Sequence, residues 1–213
     1  AVLEQVSETG QTVLTPTEHR KAQALADAVR AQPMVAQLLA HPDAQPEAVL
    51  QWADTIVGPA RGRADLLIII GGGGYILDLK QWRSVQPRSV RRDIESQGVD
   101  AQLAWYARGA EEMAHKDFES LRRGVIVVSD GGTDGCPECA LYWLDEAMHA
   151  LGDARLDRAL RTYAECDRSG DWPTAGSPEG DDMGPSAYLL REYGVTEYTD
   201  DGDDNAVVTI LRD

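Results

Sequence analysis

Four consecutive glycines at positions 71–74 separate two short apolar runs, and this pattern constrains the fold more than any other feature of the chain. The first run, 65–70, ends in three isoleucines, and in the second run, 75–80, Tyr75, Leu77 and Leu79 occupy alternate positions. Alternation with a period of two is typical of a β-strand, and glycines allow a tight turn. The sequence therefore predicts a β-hairpin over residues 65–80.

The same glycines also suggest a nucleotide-binding loop. Such a loop needs a helix directly after the glycines, because the helix N-terminus binds the phosphate. Here an alternating, strand-like segment follows, and no Gly-Lys-Ser or Gly-Lys-Thr sequence is present after the glycines. The sequence context therefore argues against a phosphate loop.

The first 60 residues predict a helical N-terminal extension. Thr15 and Glu18 form a capping-box pattern around Pro16, which predicts a helix start. Prolines at positions 33 and 46 precede two further segments with helical spacing of apolar residues, 34–40 and 48–57.

The middle of the chain predicts two helices followed by a buried strand. Residues 88–97 form a short helix with an exposed arginine cluster, and residues 100–122 form a long helix that Gly124 ends. Four consecutive apolar residues, 125–128, then predict a buried strand over 125–130. The arginines of the first helix are expected to form a solvated face.

The C-terminal part begins with the motif Cys136-Pro137-Glu138-Cys139. We expect a helix from this motif to Leu151, a break at Gly152, and a second helix over 154–166. A loop rich in Gly, Pro, Asp and Ser covers 167–184, and a closing hairpin is expected over 195–199 and 206–211.

These elements predict a single α/β domain, with a mixed α+β arrangement as the alternative. It would contain a small mixed β-sheet flanked by helices, with the helical extension at 1–60, an α/β core with the CxxC motif at 61–166, and an acidic loop and closing hairpin at 167–213. A chain of 213 residues with 43% hydrophobic residues is long enough to bury such a core.

The net charge of −16 limits the partners that the chain can bind. So acidic a protein is not expected to bind nucleic acid through bulk charge, because the phosphate backbone is a polyanion. Residues 165–213 contain 13 acidic and 3 basic side chains, which is −10 of the total. No apolar run approaches the roughly 20 residues of a membrane span, so no membrane association is expected.

Three cysteines, an odd number, do not form a disulfide framework, and the first residues lack the pattern of a signal peptide. A cytoplasmic location is therefore expected, with thiols that are free, metal-bound or redox-active. Substrate and oligomeric state do not follow from the sequence.

A zinc site is the leading functional hypothesis. If the two helices after the CxxC motif pack antiparallel, Cys166 returns to the level of Cys136 and Cys139, and His115 reaches them from the helix before the strand. Thiolates and an imidazole are the tetrahedral ligands that zinc prefers. In a catalytic site three of these residues bind and the fourth position holds water. Glu111 or Glu112 is then the expected general acid or base, acting on a small-molecule substrate.

The CxxC motif also resembles the active site of glutaredoxin- and thioredoxin-like proteins. This resemblance covers about 125–151 and implies a thiol–disulfide oxidoreductase. A helix dipole at the motif would lower the pKa of the first thiol.

A second resemblance is the order of elements, helix, hairpin, helix, strand and CxxC helix, which is similar to that of cytidine-deaminase-like folds. These enzymes place His-x-Glu or Cys-x-Glu on the helix before the strand. Gly109-Ala110-Glu111 stands at the matching position, so the first metal ligand of that pattern is absent. The resemblance implies a hydrolytic, deaminase-like zinc enzyme with His115 as the substitute ligand.

Two further alternatives remain open. The cysteines are equally typical of small buried hydrophobic side chains. The acidic C-terminal segment is typical of an inhibitor or immunity protein that binds a basic protein surface.

Overall fold

A computed structural model describes residues 14–113, 120–131 and 135–173. The chain forms two compact units, Ala1–Gly170 and Asp171–Asp213, and the helices and strands below belong to the first unit. The hairpin expected over 195–211 lies outside the described residues. The prediction of a single domain stays a prediction.

Within the described residues five strands form one sheet, and their spatial order follows their order in the chain. Neighbouring strands are antiparallel except β3 and β4, which are parallel. A parallel pair needs a long crossover connection, and two helices between β3 and β4 supply it. The strands are β1 (Ala44–Asp54), β2 (Gly58–Ile70), β3 (Gly73–Gln81), β4 (Ser120–Ser129) and β5 (Glu138–Trp143).

Five helices flank the sheet in the described part of the chain. The N-terminal helix starts where the sequence predicts, because Thr15 Oγ1 accepts the Glu18 N–H and Glu18 Oε2 accepts the Thr15 N–H. The helices are α1 (Pro16–Ala31), α2 (Pro33–Leu39), α3 (Pro87–Gln97), α4 (Val99–Met113) and α5 (Glu146–Ser169).

Each face of the sheet carries its own apolar core. On one face, strand residues such as Leu50, Ile76 and Val125 pack with α3 and α4. On the other face, Leu66 and Leu77 pack with Val35 and Leu38 of α2 and with Val29 of α1. The predicted α/β class, a small mixed sheet flanked by helices, is therefore confirmed.

The hairpin predicted over 65–80 is also confirmed. β2 and β3 pair antiparallel from Leu66↔Leu77 to Ile70↔Gly73, with a turn at Gly71 and Gly72. A strand, β3, follows the turn, where a phosphate loop would need a helix.

The helix predicted over 48–57 is wrong. This segment belongs mainly to β1, in which Ala48, Leu50 and Trp52 are buried at alternate positions. Apolar residues at 49, 50, 53 and 56 match helical spacing by coincidence, and pairing with β2 along the whole of β1 overrides it.

The long helix predicted over 100–122 ends earlier than expected. The described part of α4 is Val99–Met113, and β4 already begins at Ser120. Leu121 continues the helical spacing in the sequence, but the structure buries it as a strand residue in the core beneath α4. A single apolar residue fits the periodicity of a helix and of a strand equally well, and its packing in the fold decides which of the two forms.

The helix predicted directly after the CxxC motif is wrong, and so is the helix break at Gly152. Glu138–Trp143 is strand β5, and α5 starts after Asp145, whose side chain accepts the Met148 N–H. Gly152 lies inside α5, where an added Cβ would stand 2.5 Å from the carbonyl oxygen of Asp100. The glycine allows α4 and α5 to approach closely and does not end the helix.

None of the described helices is both long and apolar enough to cross a membrane.

An ion pair with a buried carboxylate and a partly exposed guanidinium joins α4 to α5. Asp100 is almost completely buried at the start of α4, and Arg155 Nη1 lies 3.1 Å from both of its carboxylate oxygens. Removing one partner of a buried pair leaves a charge without compensation.

We predict that Arg155→Met lowers the free energy of unfolding by about 3 kcal/mol, because the Asp100 carboxylate stays buried without its cation. Urea unfolding followed by circular dichroism measures this change. Arg158→Met is the matched control, because Arg158 is exposed one turn further along the same helix, and it should change stability by less than about 0.5 kcal/mol. Equal effects of the two substitutions would contradict this role of the pair.

Candidate active site

β2 and β3 separate at one end of the hairpin, and two aspartates stand at the point of separation. The last pair in the ladder is Leu66↔Leu77, so Asp65 and Asp78 are the next residues on the two strands. Asp65 is half-buried and Asp78 is 2% exposed. Two neighbouring strands thus bring two aspartates to adjoining positions at one end of the hairpin.

The regular alternation of β1 and β2 breaks beside the same point. In β2, Ala64 and Leu67 both belong to the core under α4, whereas Leu66 and Ile68 belong to the core under α2. Opposite Asp65, Glu47 of β1 has a φ of 54°, which is rare for a residue with a side chain. Strained backbone of this kind is common at functional sites.

Beyond Leu66↔Leu77, the side chain of Asp65 replaces the backbone hydrogen bond that would otherwise join β2 and β3. Its Oδ2 accepts the Leu79 N–H at 2.6 Å, across the gap between the two strands. This bond fixes the Asp65 carboxylate beside the sequence Asp78-Leu79-Lys80.

Asp78 and Lys80 lie two residues apart in β3 and therefore on the same side of the strand. Lys80 Nζ stands 2.7 Å from Asp78 Oδ2 and donates to Gln102 Oε1 at 3.2 Å. Gln102 Nε2 donates to Asp78 Oδ1 at 2.9 Å. One amide side chain of α4 thus holds both the carboxylate and the ammonium group.

Tyr106 follows Gln102 by one helical turn and completes the support from α4. Gln102 Nε2 lies 2.9 Å from the Tyr106 hydroxyl. The Tyr106 ring packs over Gly62 of β2, where a Cβ would stand 2.8 Å from the ring. The glycine leaves room for the tyrosine ring against β2, from where its hydroxyl contacts Gln102.

Burial and the neighbouring charge of Asp65 raise the pKa of Asp78 above its usual value, although Lys80 and Gln102 act in the opposite direction. Asp78 Oδ2 is buried and accepts no aligned hydrogen bond within the described part of the chain. The Lys80 ammonium forms an ion pair with this oxygen at 2.7 Å. A buried carboxylate oxygen with spare acceptor capacity is suited to a ligand.

Two carboxylates and a lysine in this arrangement suit phosphate chemistry with a divalent cation. Mg²⁺ commonly binds proteins through only one or two carboxylates, together with water and substrate phosphate. Among the described residues, no three His, Cys, Asp or Glu side chains meet in one group. Asp65 and Asp78 therefore fit a Mg²⁺ site of low ligand number better than an all-protein cage.

The CxxC motif lies at the same end of the sheet but two strands away from β3. Cys139 of β5 pairs with Val128 of β4, which in turn pairs with Gln81 of β3. Cys136 is exposed and Cys139 is half-buried, and burial raises the pKa of the Cys139 thiol. Because the motif begins a strand, the helix dipole that the oxidoreductase hypothesis requires is missing there.

Cys166 is buried near the end of α5. The antiparallel helix pair that would return it to the CxxC motif does not form, because α5 is continuous from Glu146 to Ser169. The middle of α5 packs in a cluster with Val57, in the turn at the opposite edge of the sheet from β5. His115 lies outside the described residues, so zinc binding by these four residues stays a prediction.

Glu111 and Glu112 are exposed in the last turn of α4. Partial burial of its carboxylate and the charge of Asp153 raise the pKa of Glu111, whereas Arg123 lowers it. Arg123 pairs with Ile76 near the start of β4, five residues before Val128. Glu111 is thus roughly 16 Å along β4 from the CxxC motif, and on α4 it lies nine residues, roughly 13 Å, beyond Gln102, which contacts Asp78.

The sequence alone predicts no function for Asp65, Asp78, Lys80, Gln102 or Tyr106. A signal was present, because Asp78 and Lys80 are charged residues on the strand face that carries Ile76. Charged residues on an inward strand face are rare unless they have a function or a partner.

Comparisons with known proteins give likeness at the level of structure alone. No protein-family model matches the chain, and no curated protein matches it. The structure is similar to that of a putative exonuclease from Eubacterium rectale, with 12% identity, a TM-score of 0.61, and coverage of 89% of this chain and 73% of that one.

Two more distant likenesses have lower TM-scores. A protein named SSO0001 has 16% identity and a TM-score of 0.35 over 68% of each chain. LHK-Exo, solved in complex with dAMP, has 16% identity and a TM-score of 0.31 over 88% of this chain and 80% of its own. The first of the three similarities supports a shared fold, and these two carry no argument.

The buried Asp78 carboxylate should lower stability at neutral pH. Its pKa is raised in the folded state, so the folded protein binds a proton more readily than the unfolded chain, and stability falls as pH rises above about 4. We predict that Asp78→Asn removes this loss of stability. The variant should therefore be more stable than the wild-type protein at pH 7 but not at pH 4.

Urea unfolding of both proteins from pH 4 to pH 8 measures the difference. The exposed Asp27→Asn is the control and should leave the pH profile unchanged. A difference between Asp78→Asn and wild type that does not depend on pH would contradict the raised pKa.

Proposed function

We propose that the protein is a Mg²⁺-dependent nuclease that hydrolyses phosphodiester bonds at Asp65, Asp78 and Lys80. The observation that carries the proposal is the buried Asp78 oxygen, which accepts no aligned hydrogen bond and lies beside a second carboxylate and a lysine. The fold similarity to a putative exonuclease supports the choice of nucleic acid as substrate.

The two aspartates are the residues that would hold the cation. Asp65 presents a carboxylate whose one oxygen is fixed by the Leu79 N–H, and Asp78 presents the buried Oδ2. When bound between these groups and a phosphate, Mg²⁺ stabilises the negative charge of the phosphate and makes a bound water more acidic.

Lys80 supplies a fixed positive charge at the same place. Its ammonium lies 2.7 Å from Asp78 Oδ2, so a phosphodiester held at Asp78 stands next to it. Negative charge grows on the phosphate oxygens during hydrolysis, and a cation already in place stabilises that charge without reorganisation. Gln102 holds the side chains of Lys80 and Asp78 in position by a hydrogen bond to each.

The acidic composition is compatible with this substrate. The net charge of −16 disfavours binding through bulk charge, so the attraction must be local to the site. A divalent cation between two aspartates neutralises their charge, and Lys80 then leaves the group with one net positive charge for a phosphate to meet.

Asp78→Asn, Asp65→Asn and Lys80→Gln should each lower Mg²⁺-dependent cleavage of a labelled DNA strand at least a hundredfold, as expected when one electrostatic group at a reacting centre is lost. Asp27→Asn, an exposed change on α1, should retain activity. Gel analysis of cleavage with Mg²⁺ and with EDTA measures the effect. No cleavage by the wild-type protein with Mg²⁺ or Mn²⁺, or cleavage by the three variants at the wild-type rate, would overturn the proposal.

The zinc hypothesis predicts a different dependence. If the nuclease proposal is correct, the double variant Cys136→Ser/Cys139→Ser keeps Mg²⁺-dependent cleavage within about twofold of the wild-type rate, because the motif lies two strands from β3. The zinc hypothesis expects stoichiometric zinc in the wild-type protein and its loss from the variant. Metal analysis together with the cleavage assay separates the two.

A further inference from the structure

The segment that leads from β3 into α3 is strongly basic. From Lys80 to Arg92 the chain has five basic residues and no acidic residue, although acidic residues outnumber basic ones by 36 to 20 in the whole chain. The four arginines of this segment are exposed, and we name them the arginine surface. They are Arg83, Arg88, Arg91 and Arg92.

α3 stands on the same face of the sheet as Asp78 and Lys80. It buries Val90 and Ile94 in the apolar core that also contains Ile76 of β3. Asp78 and Lys80 follow Ile76 at intervals of two residues along the strand, so their side chains point to this face as well. The sheet therefore does not separate α3 from the candidate active site.

α3 also begins at the level of Asp78 along the strands. Asp78 pairs with Val125 of β4, and Val125 pairs with Tyr142 of β5. The Tyr142 hydroxyl donates to the carbonyl oxygen of Val85, two residues before α3 begins. Two strand spacings, roughly 10 Å, separate Asp78 from Tyr142 along this row. Phosphates follow one another about every 3.4 Å along each strand of a duplex, so a few nucleotides cover this distance.

The guanidinium groups of the arginine surface are largely available to a partner. Within the described part of the chain, no carboxylate pairs with Arg83, Arg88 or Arg91. Arg92 lies 3.3 Å from the carboxylate of its neighbour Asp93. A guanidinium group binds phosphate through two parallel N–H donors. In so acidic a chain, a group of unpaired arginines is typical of a surface that attracts an anionic partner.

We propose, on the basis of the proposed nuclease function, that the arginine surface binds the phosphate backbone of the nucleic-acid strand that is cut at Asp78. Residues 88, 91 and 92 are three or four positions apart, so they share one side of α3 and can contact successive phosphates. An acidic protein would offer similar charge, but the position beside Asp78 and Lys80 favours the substrate. Phosphate contacts carry no base information, so the surface holds a strand without sequence preference.

Three sets of substitutions test the arginine surface. The surface variant removes the unpaired arginines by Arg83→Gln, Arg88→Gln and Arg91→Gln. The lysine variant keeps their charge by Arg83→Lys, Arg88→Lys and Arg91→Lys. The matched control removes the same charge from exposed positions of α5 by Arg158→Gln, Arg161→Gln and Arg168→Gln. All these positions are exposed, so circular dichroism should show the wild-type fold in each variant.

The first measurement is the binding of a labelled single strand in EDTA, by fluorescence anisotropy, from about 50 to 200 mM salt. The surface variant should bind at least about tenfold more weakly than the wild-type protein at the lowest salt. Its slope of log K against log salt should be less steep by about 2, because each phosphate contact of a single strand contributes about 0.7. The lysine variant should keep the wild-type slope, and the control should bind as the wild-type protein does.

The second measurement is cleavage with Mg²⁺ of a long single strand and of a dinucleotide. The dinucleotide is too short to reach from Asp78 to α3, so the surface variant should cut it within about twofold of the wild-type rate. For the long strand the surface variant should show a KM at least about tenfold higher with kcat unchanged, because the lost contacts are the same in the ground state and the transition state.

The possible failures of the two proposals differ. Wild-type affinity and salt slope in the surface variant would overturn the proposal for the arginine surface, leave the nuclease proposal intact and favour an acidic protein as the partner. Equal losses in the surface variant and the α5 control would also overturn it, because overall charge would then explain the binding. Strand binding that only the surface variant loses, without cleavage of either substrate by the wild-type protein, would support the surface and overturn the nuclease proposal.

Discussion

The separation of β2 from β3 is the constraint on which the candidate site depends. Up to Leu66 and Leu77 the strands satisfy each other's backbone groups, and beyond that pair the ladder ends. The Leu79 N–H still needs an acceptor, because a backbone donor without one costs free energy. The Asp65 carboxylate provides it, so a structural requirement of the hairpin places a charged side chain at the sheet end next to Asp78.

The parallel pairing of β3 with β4 then brings α4 over the same end. A crossover between parallel strands has to pass over one face of the sheet, and α4 does so with Gln102 and Tyr106 facing Asp78 and Lys80. The buried ion pair of Asp100 with Arg155 holds the start of α4 against α5. The position of Gln102, two residues later, depends on that contact.

How much of this follows from the sequence differs between segments. The hairpin at 65–80 and the start of α1 were predictable, because period-two alternation, the glycines and the capping box at Thr15 are local signals. β1 and β5 were not predictable, because apolar residues such as Leu50 and Leu141 fit a helix equally well. Their partners, β2 and β4, are what make them strands.

The candidate site was harder to predict than the fold for a related reason. Cys136 and Cys139 form a motif that is visible in the sequence, whereas Asp65, Asp78 and Gln102 are separated by 13 and 24 residues. Only the register of β2 and β3 and the direction of α4 bring these three together. A motif of near neighbours is therefore easier to see in a sequence than a site assembled by long-range pairing, whichever of the two does the chemistry.

Stability and chemistry make opposite demands at Asp78. A buried carboxylate with an oxygen that accepts no aligned hydrogen bond is unfavourable for folding, and a second carboxylate at Asp65 adds repulsion. Lys80 and Gln102 offset part of this cost, but they leave Oδ2 available to a ligand. A side chain selected only for stability at this position would be apolar or fully hydrogen-bonded. The strain at Glu47, directly across from Asp65, belongs to the same pattern, because both costs are found at one end of the sheet.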